Sequence, residues 1–401
     1  MDDELMDYKK DFLMPEGGGI PEGAADWKAS DRKEVVPLGG SSLDKKAELP
    51  PQLGEQEEVR RELKSMEING KTLNYYETGD PNSEFSVLDI SGLGAGSGEG
   101  NLRLDDALDG RVENSIGLQS LREIKPKAAA KIEEMVKGLK GTYRTITPRL
   151  SGFGWSEAIN NPTLDNQADF LAEFIRKKGL KNLVLFGSSM GGNIAMRIAG
   201  RHPDLAIGLA LQGAMSESGD LRKQEVILAK AVTVTPLRQI IEHIPGGSWV
   251  MRKIIKRGLK GQKDFQRADE QGKQQMLRDT DKIEPHTYLL SLRGITQDIG
   301  DMIDNIDIPV VFLDGEEAEV ISLANQKRTA GKFHPNISDA DPRESFRKKI
   351  EARKMLFFKI PEAVHSVLNT HPEVMAVMLN HAVNKYFRLG KNNPAPSDKA
   401  V

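Results

Sequence analysis

The chain is 401 residues long and carries 56 Lys plus Arg against 59 Asp plus Glu, a formal net charge of −3. Hydrophobic residues make up 38% and charged residues 29%, an ordinary globular balance with material for a large core. The near-neutral charge excludes the global basic field of a nucleic-acid binder, and the lack of cysteine excludes disulfides, zinc–thiolate sites, iron–sulfur clusters and a thiol nucleophile.

The opening MDDELMDYKKDFL is acidic and has neither the basic nor the apolar part of a secretory signal. Residues 1–55 hold seven Gly and five Pro with thirteen acidic and seven basic side chains. Such a stretch cannot bury enough apolar area to offset its ordering entropy and reads as a disordered N-terminal extension. Beyond it, strand-like runs fall at Lys71–Thr78, Phe85–Ser91, Tyr143–Pro148, Asn182–Gly187, Ala206–Leu211, Pro309–Leu313 and Lys354–Ile360. Helical patterns follow several of them, at Lys127–Gly138, Leu164–Lys178, Asn193–His202 and Pro372–Phe387. This alternation predicts an α/β fold with a mostly parallel, doubly wound sheet covered by helices on both faces. The first strands, Lys71–Thr78 and Phe85–Ser91, close together and linked by Gly79-Asp80-Pro81, predict an antiparallel start.

Between about Ser216 and Asp304 no strand pattern occurs, and helical segments dominate at Leu221–Ala231, Leu237–His243, Ser248–Arg257 and Tyr288–Asp301. The region reads as a helical cap, or lid, at 216–304 that divides a core into 66–215 and 305–391. Two further insertions are expected at Asn101–Glu123 and Asn325–Arg353, and residues 392–401 read as a second tail. No run of 18 uncharged apolar residues occurs, so no transmembrane helix is expected and the chain reads as soluble and cytoplasmic. Within the cap, Met251–Arg278 has nine Lys or Arg against three acids, with apolar residues at Met251, Ile254, Ile255 and Leu259. This basic amphipathic helix either packs its apolar stripe on the core or makes weak contact with an anionic membrane surface or an acidic substrate; packing is the favoured expectation.

The sharpest chemical signal is Gly187-Ser188-Ser189-Met190-Gly191-Gly192, placed directly between an apolar strand and a helix. G-x-S-x-G in that context is a nucleophile elbow. A sharp turn lifts the serine above the sheet, and only small neighbours avoid clashing with it.

With that motif the chain resembles the α/β-hydrolase superfamily, over about Met66–Leu389 outside the insertions. Asn69–Gly79 looks like the family's opening hairpin. Arg149-Leu150-Ser151-Gly152-Phe153-Gly154-Trp155-Ser156 is similar to its D-x-x-G-x-G-x-S loop, with Arg149 where Asp is usual. Ile308–Gly315 resembles the strand before the catalytic acid. The resemblance implies a serine esterase or lipase-like hydrolase with a helical cap. Seven histidines are available as the base, and His365, in a loop just after the last predicted strand, sits where the fold needs it. His202 and His371, each before a proline, read as helix-boundary residues. No two histidines share metal-ligand spacing, so no metal or other cofactor is expected.

The departures are at the acid and the oxyanion hole. The family's G-x-x-D reads here Gly315-Glu316-Glu317-Ala318, leaving alanine in place of aspartate. Glu319 is the preferred substitute, with Glu317, Glu217 and Asp220 as alternatives. The usual His-Gly after the third strand is Ser91-Gly92-Leu93-Gly94. By resemblance the backbone N–H groups of Leu93 and Met190 form the oxyanion hole. The five glycines of Gly92–Gly100 lack the G-K-[ST] ending of a phosphate loop. The expected activity is hydrolysis of a small-molecule carboxylic ester or related acyl compound. The competing expectation is a non-catalytic binding protein that has lost its acid.

Overall fold

The computed structural model describes residues 62–93, 103–112, 115–217, 247–260, 280–316, 321–337, 354–360 and 367–388. Single residues or pairs between them, His365 included, are also described. The two predicted tails, the patterns at Leu221–Ala231 and Leu237–His243, and Glu317, Glu319 and Asp220 lie outside the described residues.

The chain enters through a hairpin. β1 (Lys64–Ile68) and β2 (Lys71–Gly79) pair antiparallel, with Ile68 opposite Lys71. The intervening Asn69 and Gly70 both have positive φ, 50° and 73°, which a two-residue turn of this hand requires and Asn-Gly supplies. β3 (Phe85–Ile90), β4 (Tyr143–Pro148), β5 (Leu183–Ser188), β6 (Gly208–Gln212), β7 (Val310–Gly315) and β8 (Met355–Ile360) complete an eight-stranded sheet. Its order is β1-β2-β4-β3-β5-β6-β7-β8, parallel from β4 to β8. The predicted α/β architecture is therefore observed, but the antiparallel start is not the expected one: β2 pairs with β1 and β4, and β3 lies beyond β4, parallel to it, so Gly79-Asp80-Pro81 links strands that are not neighbours.

The strands β5 to β8 are mostly apolar because both faces of the sheet are covered there. In β5, Leu183 and Leu185 enter one core and Val184 and Phe186 the other. The first core is closed by α4 (Leu164–Lys178) and α5 (Met190–Arg201), the second by α1 (Arg103–Leu108), α2 (Ile116–Ile124), α3 (Pro126–Lys137) and the later helix Pro372–Ala382. α4 carries its own boundary signals. The Thr163 hydroxyl accepts from Asn166 N–H, Asp165 lies in the first turn, and Gly179 closes the helix at φ 67°.

The region 216–304 shows where local pattern yields to packing. α6 (Gly247–Lys260) buries Met251 and Ile255 against Leu289, so the inward-packed form of the basic amphipathic helix is the one observed. The predicted helix Tyr288–Asp301 starts earlier and breaks: α7 spans Pro285–Gly294, and a single turn follows at Gly300–Ile303. Its start is set by Glu284, whose carboxylate accepts the N–H groups of His286 and Thr287, and by Pro285 in the first turn. Among the described residues no helix is long and apolar enough to cross a membrane.

α8 (Leu323–Lys332) follows β7, and α9 (Pro372–Ala382) follows β8. Beyond Ala382 the predicted helix Pro372–Phe387 widens into a π-turn, Val383–Phe387.

Candidate active site

β5 ends at Ser188 and α5 begins at Met190. Ser189, between them, has φ 53° and ψ −117°, a backbone conformation that L-residues rarely adopt and that surrounding structure must impose. Glycines make room for it. A Cβ on Gly187 would lie 2.5 Å from Gly192 Cα, one on Gly192 2.6 Å from Ala214 Cβ, and one on Gly191 would overlap the carbonyl oxygen of Ile90. The side chain of Ser189 is left half-buried at the C-terminal edge of the parallel strands.

The turn after β3 comes up against this serine. A Cβ on Gly92 would lie 3.1 Å from Ser189 Cβ and 3.8 Å from its Oγ, so the main chain of Ser91-Gly92-Leu93 passes beside the hydroxyl. Leu93 is half-buried in that turn, and Met190 is buried as the first residue of α5. N–H groups in a first helical turn have no intrahelical acceptor. α5 has no acidic residue in its first turn, so its dipole presents an uncompensated positive end there.

His365 reaches the same edge from β8, three strands from β5 in the sheet order. Its backbone carbonyl accepts a hydrogen bond from Gln212 Nε2. Its ring rests on Gly213, where a Cβ would lie 2.6 Å from Cε1 and 2.9 Å from Nδ1. Gly213 has φ 56°, so this position needs glycine twice over, for its backbone and for its missing side chain. Gln212 also accepts the Ser189 N–H through its main-chain oxygen, at 2.7 Å.

The acid candidates separate. Glu319, Glu317 and Asp220 lie outside the described residues. Glu217 is engaged with two cations of α8, Arg328 Nε at 3.3 Å and Lys332 Nζ at 3.0 Å. A further carboxylate was missed by sequence reasoning. Asp314 is buried at the end of β7, and its Oδ1 accepts the Gly213 N–H at 2.7 Å. Its Oδ2 has no hydrogen-bond partner among the described residues. Burial pushes its pKa up to about 7 against the pull of the Gly213 N–H. The available signal was an acid closing the apolar run Val310–Leu313, which a buried strand does not carry without a use.

The departure at Arg149 also has a structural counterpart. Arg149 is buried and lies over the Tyr76 ring at 4.7 Å. It faces Asp89 of β3, whose carboxyl is held well above its usual range by burial and by neighbouring Asp105, with Arg149 opposing. Asp105 is tied to Thr147 Oγ1 at 2.5 Å. The loop's usual acid is thus exchanged for a base, and acids stand on the facing strand and helix.

Two of the other histidines have local tasks. His202 caps α5 and meets Asp169 at 2.9 Å. His371 stands before α9 with its ring packed against Gly117, and burial lowers its pKa to about 4. Both are helix-boundary residues, as expected. His334 is buried, and burial likewise lowers its pKa to about 4. His243 lies outside the described residues.

An eight-stranded sheet of this order, with a strained serine between β5 and α5 and a histidine after β8, defines an α/β-hydrolase-fold protein. Residues 126–233 of the chain match the α/β-hydrolase-fold family. A search of curated proteins gives no significant match. Among solved structures the chain is similar to a bacterial membrane phospholipase A described as a virulence factor, at 17% identity and TM-score 0.56, covering 83% of this chain and 87% of that one. It is also similar to an esterase from Exiguobacterium antarcticum, at 15% identity and TM-score 0.56, covering 80% and 99%. A thermophilic esterase from Thermogutta terrifontis matches at 17% identity and TM-score 0.53, covering 81% and 99%. At such identities the likeness establishes the fold.

Proposed function

We propose that this chain is a serine hydrolase that cleaves a carboxylic ester or related acyl compound through an acyl-enzyme on Ser189. The observation that carries the reading is the strained Ser189, held by glycines that have no other evident use. His365 takes the Ser189 proton as the hydroxyl attacks the carbonyl, then protonates the leaving group. The N–H groups of Leu93 and Met190 receive the developing oxyanion. Water then attacks the acyl-enzyme, with His365 again as base, and releases the acid. Glu319 is the proposed acid partner of His365. Asp314 is the second candidate, favoured by its buried, unbonded oxygen beside the Gly213 seat of the imidazole. No cofactor or metal enters these steps.

The region 216–304 is proposed as the cap over this edge. Glu284 N–H donates to the Gly152 carbonyl at 2.9 Å, and a Cβ on Gly152 would lie 2.8 Å from Thr287 Cβ. These contacts fix α7 on the loop that follows β4. Weak membrane-surface contact through the cap rests on exposed Trp249 and Val250 among the cations of α6; the inward burial of Met251 and Ile255 weighs against it.

The competing reading, a non-catalytic α/β-hydrolase-fold binding protein, is favoured by Ala318 at the family's acid position. Fluorophosphonate labelling separates the two. An adduct mapped to Ser189 and abolished in His365→Ala supports the hydrolase; well-folded protein without an adduct overturns it and leaves the binder.

A further inference from the structure

We infer that Gln212 is a positioning residue of this site, its side-chain amide fixing the histidine loop against the nucleophile elbow. The inference rests on the hydrolase reading above and adds a residue that touches neither the substrate nor the reacting atoms.

Gln212 ends β6, an otherwise apolar strand, and is itself only 1% exposed. A primary amide in that setting costs stability unless its hydrogen bonds are made, and here they are made to the two halves of the site. The Ser188 hydroxyl donates to Oε1 at 2.6 Å, and Nε2 donates to the His365 carbonyl. The direction of the amide follows from chemistry. A main-chain carbonyl can only accept, so the nitrogen must face His365, which leaves the oxygen for Ser188. The main chain of the same residue accepts the Ser189 N–H. One residue therefore holds the serine's backbone, the hydroxyl beside it, and the carbonyl of the base.

The next residue completes the device. Gly213 provides the surface on which the imidazole rests, and its φ of 56° turns the chain away from the strand immediately after the amide. β6 is bonded to β5 over Val184–Ser188 and to β7 over Val310–Phe312, so the amide projects from a rigid strand. His365 instead lies five residues past the end of β8 at Ile360. Rigid support for the base is what the geometry of proton transfer demands, since misplacement of about 1 Å can cost about 10²-fold in rate.

Removing the amide while keeping the volume isolates this role. In Gln212→Met, the fluorophosphonate labelling rate at Ser189 and kcat on a hydrolysable p-nitrophenyl ester should fall by about 10²-fold, with KM nearly unchanged because no substrate contact is lost. Gln212→Glu supplies the readout that a merely structural role would not move. Its protonated carboxyl can donate to the His365 carbonyl and accept from Ser188 as the amide does, whereas the ionised form cannot donate. Its activity relative to wild type at the same pH should therefore rise as pH falls.

Equal labelling rates for folded wild type and Gln212→Met, or a Gln212→Glu ratio flat with pH, overturn the inference. If Gln212→Met does not fold, the Gln212→Glu ratio decides alone. If wild type itself is not labelled, the hydrolase reading fails separately. The histidine NMR signals of wild type and Gln212→Met then decide: a shifted His365 resonance keeps the positioning role, and an unmoved one ends it.

Discussion

The proposed nucleophile, Ser189, and the proposed base, His365, stand at one edge of one sheet, yet different constraints hold them there. Ser189 is placed by its immediate neighbours: Gly187, Gly191 and Gly192 permit a backbone that no other residues would allow. His365 is placed from a distance, by an amide 153 positions earlier in the chain and by a glycine seat next to that amide. The first constraint is steric and local, so it is written as a motif. The second is a tertiary hydrogen bond, so its partners have no fixed spacing. A site of this type combines a turn that cannot move with a loop that must be tied.

The largest effect should come from the local half. Ser189→Ala removes the proposed nucleophile and should lower ester turnover by about 10⁴-fold or more, with labelling abolished and thermal unfolding nearly unchanged. Steady-state kinetics and intact-mass analysis check this.

The distant half is sharpened by comparing Glu319→Gln with Asp314→Asn. Whichever residue orients His365 should lose about 10⁴-fold in kcat, and the other much less. Asp314→Asn has a second signature. The folded state holds the Asp314 proton up to about pH 7, while an unfolded aspartate releases it near about 3.9. Folding stability due to this group therefore falls as pH rises between those values, and Asp314→Asn should remove that fall in urea titrations.

Gly191→Ala attacks the elbow through sterics alone. The added methyl would overlap the Ile90 carbonyl oxygen, so a loss of about 2–4 kcal/mol in urea unfolding is expected, with labelling of Ser189 reduced.

The smallest effect lies far from the site, at the start of the sheet. Partial burial raises the Glu77 pKa, but ion pairs to Lys178, Lys64 and Arg144 outweigh it and hold the carboxyl at about 2. Its contribution is present above the unfolded value of about 4.3 and is lost as pH falls towards 2. Glu77→Gln should cost on the order of 1 kcal/mol at neutral pH and flatten the acid limb of the stability profile. Activity above pH 5 should not change, which separates the scaffold from the site.

The sequence by itself determined what short-range physics determines. Apolar runs became strands, the pattern Leu164–Lys178 became a capped helix, and Asn69-Gly70 became a hairpin turn. The elbow was legible because glycine spacing is a direct record of backbone crowding. Strand ends were less so. The run read as Pro309–Leu313 extends to Gly315 because pairing with β8 continues through Asp314 and Lys359, and that extension turned an unremarked acid into a buried one beside Gly213. Tertiary structure alone decided that Gln212 meets Ser188 and His365, that Glu217 belongs to the cations of α8, and that Arg149 faces Asp89. Each of these contacts joins segments far apart in the chain, and only the closed sheet brings them within reach of a hydrogen bond or a charge.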